Sequence, residues 1–176
     1  MNEIIVAGFG GQGVLVLGQL IAYGGMIEGK AVSWLPSYGP EQRGGTCNCS
    51  VVISESEIGS PIVTEPTCAV VMNLPSFTRF EPTLKPGGLL LYNTTLIHQK
   101  PERSDIRVIG VPANAIAEEL GNIKVSNMVI LGAFIEAAQL VSIGSIEESL
   151  KNVLPERHHH LIPLNMQALE RGRAYQ

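Results

Sequence analysis

The stretch EIIVAGFGGQGVLVLGQLIAYGGMI, Glu3 to Ile27, decides the fold. Residues 3–8 form a short β-branched run of the kind found in buried strands. Gly8, Gly10, Gly11 and Gly13 follow. Beyond them Val14, Leu17, Gly18 and Ile21 fall on one face of a helix, and Gly24-Gly25 are placed to end it. Strand, glycine loop and helix occur in the order that a G-x-G-x-x-G spacing requires. Here that spacing is set by Gly8, Gly10 and Gly13. Glycines let the backbone turn tightly and come close to a ligand. The helix start then offers free N–H groups and a partial positive charge to an anion. Residues 4–27 carry no formal charge and are long enough for a membrane span. The glycines clustered mid-run, with Gln12 and Gln19, read instead as strand, loop and helix.

A dinucleotide site needs an acid about 20 residues further on, at the end of the second strand, to hold the ribose. That region reads KAVSWLPSY, with no acid, and Glu28 precedes the strand. The missing acid counts against NAD or FAD without closing that reading, and three others stand beside it. The loop holds another phosphate-bearing ligand, it receives a partner segment, or it is only a tight turn. A stand-alone nucleotide-binding or phosphate-binding protein is one expectation consistent with it.

Outward from this unit, Lys30 to Leu35 reads as a second strand and Thr46 to Ile53 as a third. Ile62-Val63 reads as an edge strand. Further strands are expected at Ala69–Asn73, Leu89–Asn93 and Ile106–Val111, with a short helix over Ser76–Leu84. Pro112 suits a helix start, and Gly121 an end. Ser126 is expected to cap a helix over Asn127–Val141. Ser145 and Glu148 make a capping-box pattern for a helix that Pro155 stops. Leu164 to Arg171 closes the chain as a helix ended by Gly172. Strands alternating with helices give an α/β fold. We expect a single Rossmann-like domain over 1–176, with a mainly parallel sheet, helices on both faces and a helical C-terminal segment from about residue 126.

The chain has 176 residues and a formal net charge of −4, which argues against a nucleic-acid binder. Its charged fraction is 16%, against roughly 25% in an average soluble protein. The surface is therefore short of charge. Either uncharged polar residues fill it or another chain covers part of it. Three cysteines cannot all pair within one chain, and Glu3 stands where a secretory signal wants basic residues. A reduced, cytoplasmic protein off the membrane is the expectation.

A second polar loop, SYGPEQRGG, runs from Ser37 to Gly45. It is too poor in apolar residues for core and too rich in turn formers for a helix. Arg43 offers a fixed fork to a carboxylate or phosphate, beside amides freed by Gly44 and Gly45. The other reading is an exposed loop with local hydrogen bonds. Cys47 and Cys49 are two apart in a strand and so face one side. A cluster or zinc site needs about four ligands, and Cys68 adds only one. No metal site is expected from these residues, nor from His158-His159-His160, which read as a solvated linker. No nucleophile–base spacing marks a catalytic residue.

Gly8-Phe-Gly-Gly-Gln-Gly13, then Ser37-Tyr-Gly-Pro-Glu-Gln-Arg-Gly-Gly45 followed by a strand, resemble the gamma subunit of the 2-oxoacid:ferredoxin oxidoreductases. Asn73, the Pro86-Gly87-Gly88 turn before LLLYN, and Asn165 to Gly172 extend the resemblance over the whole chain. The resemblance implies an enzyme that oxidatively decarboxylates a 2-oxoacid on thiamine diphosphate. Electrons pass through iron–sulfur clusters to ferredoxin, and an acyl-CoA is made. This chain would be the cluster-less module, holding no cofactor alone, inactive alone, and docked on alpha-, beta- and delta-type subunits. It would help receive CoA, and 2-oxoglutarate is the favoured oxoacid. Carried over, the site residues would be Gly8, Gly10, Gly11, Gln12 and Gly13, with Tyr38, Glu41, Gln42, Arg43 and Gly44 close by.

Overall fold

The computed structural model describes residues 1–39 and 45–175. Residues 3–8 do form an interior strand. Ile4, Val6 and Ala7 are wholly buried, because this strand has neighbours on both edges and packing on both faces. The strands are β1 (Asn2–Phe9), β2 (Ala31–Tyr38), β3 (Thr46–Ser54), β4 (Cys68–Val71), β5 (Leu89–Asn93) and β6 (Arg107–Val111). The helices are α1 (Val14–Ile27), α2 (Leu74–Phe80), α3 (Ala113–Glu119), α4 (Ser126–Ala138), α5 (Ile143–Val153) and α6 (Ile162–Arg173). Short 3-10 turns complete the described chain.

The six strands form one sheet in the order β2-β3-β1-β4-β5-β6. β1, β4, β5 and β6 pair in parallel. β3 pairs antiparallel with both β1 and β2. It is thus the one strand running against the rest, and the sheet is mainly parallel by direction. Alternation sends Ile4 and Val6 to one face, with Cys49, Val51, Val70 and Leu91. There they meet α1, α3, α4, α5 and α6. Ile5, Ala7, Ala69, Val71 and Leu90 face the other way, against Phe77 and Phe80 of α2. Helices therefore lie on both faces, very unequally.

Several element ends differ from the sequence expectation. β2 continues through Pro36 to Tyr38. A proline is tolerated there because β2 is an edge strand. α1 does not stop at Gly24-Gly25. Both glycines are buried within it, and they let α1 sit against Val141, Ile146 and Val32. Ile62-Val63 form no strand. β4 has β1 and β5 on its two edges, so no edge is free there, and Pro61 and Pro66 interrupt the run. α4 starts at Ser126 without a side-chain cap. α5 starts earlier than expected, because Ser142 Oγ accepts the Ser145 N–H at 3.2 Å. Gly172 lies inside α6, not after it. A Cβ there would stand 1.8 Å from Val129 O of α4, so glycine is what allows the two helices to close on each other.

Candidate functional site

Because β3 is reversed, the chain entering it starts at the rim where β1 ends. Phe9 pairs with Thr46 and Gly8 with Cys47. The Gly10 N–H donates to Gly45 O at 3.0 Å. The two polar loops are thus joined at the carboxyl rim of the sheet. A cleft of about 510 Å3 opens beside them, lined by Phe9, Gly10, Gly11, Gly13, the first turn of α1, Tyr38 and Cys47.

The loop is held from several sides. Gly13 has φ 73°, in the left-handed region that favours glycine. Its carbonyl accepts the Leu17 N–H at 3.0 Å, the first intrahelical bond of α1. It also accepts Asn127 Nδ2–H at 3.3 Å. Asn127 is 6% exposed and comes from the first turn of α4. No side chain caps α1, and no acid lies in its first turn. The N–H groups of Val14, Leu15 and Val16 precede that first intrahelical bond. They give the cleft a positive edge.

Of the residues named from the sequence, Gly10, Gly11, Gly13 and Tyr38 line the cleft. Gly8 sits beneath it, crowded by Gln12, Met72 and Val14. Gln12 is turned into its own loop. Its Oε1 accepts the Phe9 N–H at 2.7 Å, and its Nε2 donates to Met72 O at 3.3 Å. Its role here is to tie the glycine loop to the end of β4. Glu41, Gln42, Arg43 and Gly44 lie outside the described residues. Asn127 was not reached from the sequence, and Phe9 and Cys47, though noted there, were not expected to line the cleft. Nothing in the local spacing links Asn127 to Gly13, since 114 residues separate them.

Cys47 and Cys49 face the same side of β3, as expected, and pack toward α1. Burial pushes the Cys47 thiol up. It pushes the Cys49 thiol up to about 12, while the adjoining Trp34 indole pulls the other way. Cys49 Sγ donates to Val14 O at 3.8 Å. The Trp34 Nε1–H itself is buried without a well-formed hydrogen bond. Cys68 is in the core, its thiol also raised by burial, and all three cysteines are free. Among the described residues no three His, Cys, Asp or Glu side chains gather where they could hold a metal ion. The His triplet lies in a 3-10 turn between α5 and α6. There the His159 ring Nε2 is 3.0 Å from Leu154 O.

Sheet order, reversed third strand and glycine-loop cleft together define an α/β module with a cleft at the carboxyl rim of its sheet. A profile described as pyruvate ferredoxin/flavodoxin oxidoreductase matches residues 3–175. The chain belongs to that family. It is 40% identical over 173 residues to the ketoisovalerate oxidoreductase subunit VorA of Methanothermobacter marburgensis, covering 97% of this chain and 35% of that one. It is 37% identical over 161 residues to the 2-oxoglutarate synthase subunit KorC of the same organism, covering 88% and 87%. The chain thus spans about a third of VorA but most of KorC. The keto/oxoacid ferredoxin oxidoreductase gamma subunit from Geobacter sulfurreducens superimposes with a TM-score of 0.82 at 27% identity, covering 98% of this chain and 96% of that one. Among the described residues no helix is long and apolar enough to cross a membrane.

Proposed function

We propose that the chain is the gamma-type subunit of a 2-oxoacid:ferredoxin oxidoreductase, with a role in receiving CoA and no catalysis of its own. The observation that carries this is the junction of the two loops, Gly10 N–H to Gly45 O at 3.0 Å. Two loops 25 residues or more apart are built into one rim around one cleft. That is the layout of a receiving surface.

The donor groups around the cleft suit phosphates. They are first-turn amides and a left-handed glycine, with no competing acid in the helix start. CoA, when bound, supplies the thiol that takes the acyl group as a thioester. Gly10, Gly11 and Gly13 are assigned to face it, with Tyr38 at the side. Arg43 of the second loop is assigned to a phosphate on the strength of the resemblance. The donor set does not suit an iron–sulfur cluster. Cys49 is pressed against Val14, Cys68 sits in the core on a different strand, and neither thiol gives up its proton readily. Thiamine diphosphate and the clusters are therefore assigned to alpha-, beta- and delta-type partner subunits, which pass electrons to ferredoxin. Relatedness to KorC supports 2-oxoglutarate as the oxoacid, and relatedness to VorA supports a branched oxoacid. Three free buried thiols suit the cytoplasm.

The test is oxoacid-dependent dye reduction. The purified chain is expected to show none, and addition of the partner subunits to restore it with CoA dependence. Robust turnover by the chain alone would overturn the subunit assignment.

A further inference from the structure

From Val14 to Ile27, α1 contains no charged residue. Its inner face is accounted for, since Leu17, Leu20 and Ile21 are wholly buried. Its outer face carries Leu15, Gln19, Tyr23, Met26 and Ile27, three or four residues apart. Such spacing places them in one stripe. Tyr23 is 39% exposed, Met26 59% and Ile27 38%. A helix facing water normally puts charged residues on that side. The other surface helices here do so, with exposed Glu147, Glu148 and Lys151 on α5 and exposed Glu170 and Arg171 on α6. The stripe also has a defined upper end. Leu15 and Val16 line the cleft together with Phe9 and Tyr38. One uncharged surface therefore runs from the glycine-loop cleft down the length of α1, about 20 Å at ~1.5 Å per residue.

We propose that this stripe is where a partner subunit of the same complex docks, meeting it with an uncharged, apolar face. The assignment rests on the subunit reading above and gives it a surface. Continuity with the cleft supports it, because a chain that closes over the first turn of α1 meets Gln19 and Tyr23 next. Absence of charge defines the partner. A charged face brought here would lose its hydration and find no counter-charge. A lipid surface is the wrong occupant. Helices that lie on membranes are rich in Lys and Arg on the polar side, and α1 has neither.

The test is binding of the whole chain to its thiamine-binding partner subunits, measured for the wild type, Tyr23→Lys, Met26→Lys and, as control, Ile62→Lys. Ile62 is 66% exposed and lies off α1, between β3 and β4. A lysine in the last turn of α1 complements the helix dipole, so the melting temperature of isolated Met26→Lys should match the wild type. The expected result is at least tenfold weaker binding for Tyr23→Lys and Met26→Lys, with Ile62→Lys within about twofold. If the wild type binds and both α1 variants bind equally well, this surface assignment is overturned alone. If the wild type binds no partner subunit, the subunit reading falls with it. If the isolated wild type is a dimer that Met26→Lys splits while partner binding is unchanged, the stripe belongs to a second copy and the proposal is likewise overturned.

Discussion

Gly13 carries three jobs at one backbone position. It takes a left-handed φ of 73°, its carbonyl starts α1, and the same carbonyl receives Asn127 from a helix more than a hundred residues away. A Cβ there would stand 2.3 Å from Nδ2 and 2.8 Å from Cγ of the buried Asn127 side chain. Gly11 is also left-handed, at φ 99°, but a Cβ there would meet nothing. The two positions therefore separate backbone strain from collision. Gly11→Ala should lower stability by ~1 kcal/mol from strain alone. Gly13→Ala adds overpacking and should lose ~2 kcal/mol or more, about 4–8 °C in melting temperature. Urea unfolding of both variants checks the order, and equal losses would contradict it. The glycine spacing was legible in the sequence because a strand precedes it and a helix follows. Asn127 was not, since a single buried carboxamide inside an apolar helix carries no local signal.

At the level of elements, the foot of α1 is fastened to the start of α5 by Glu28. Its carboxylate accepts the Ser142 N–H at 2.6 Å and the Ser145 Oγ–H at 2.8 Å, and pairs with Lys30 at 2.9 Å. Partial burial acts to raise this carboxyl. The Ser142 amide, the Lys30 ammonium and the serine hydroxyls outweigh it and bring it down to about 2. An unfolded glutamate titrates near 4.3. The unfolded chain therefore takes up the proton first as pH falls, and the clamp's contribution is lost between about pH 5 and pH 2. Glu28→Gln should melt below the wild type at pH 7, and the gap should shrink steadily toward pH 2. A gap that is constant with pH would show that the carboxylate is not what fastens the helices. This clamp explains why α5 begins at Ile143 and not at the Ser145–Glu148 pattern. Ser145 spends its hydroxyl on Glu28, while Ser142 becomes the cap. Local rules located these helices correctly in the sequence. Their ends were set by long-range contacts, as with Gly24 and Gly172, where a residue that reads as a helix stop is instead a place where a neighbour comes close.

For the whole molecule, the alternation of strands and helices was enough to give the α/β class and the mainly parallel sheet. It did not reveal that β3 enters backward between β1 and β2, because strand direction is a matter of connection and not of composition. That reversal bears on ligand choice. A dinucleotide site places an acid at the end of a second strand lying parallel beside the first. Here β1 has antiparallel β3 on one edge and parallel β4 on the other; β4 ends in Val71 and β2 in Ser37 and Tyr38, with no acid at either end. NAD and FAD at millimolar concentration should therefore leave the melting temperature of the chain unchanged, since a ligand stabilises only the state it binds. A rise of several degrees with either would contradict the reading of the rim.

The reversed strand has one more effect. The strands on either side of the β2–β3 connection are held in register independently of it, since every residue of β3 from Thr46 to Ser54 pairs with β1, with β2 or with both. Tyr38 and Cys47, the two residues that bracket that connection in the register, both line the cleft, so a change of length or sequence between them is made beside the cleft and leaves the sheet register as it is. A scaffold so arranged can be retuned to a new guest at a single connection, with the rest of the architecture inherited intact.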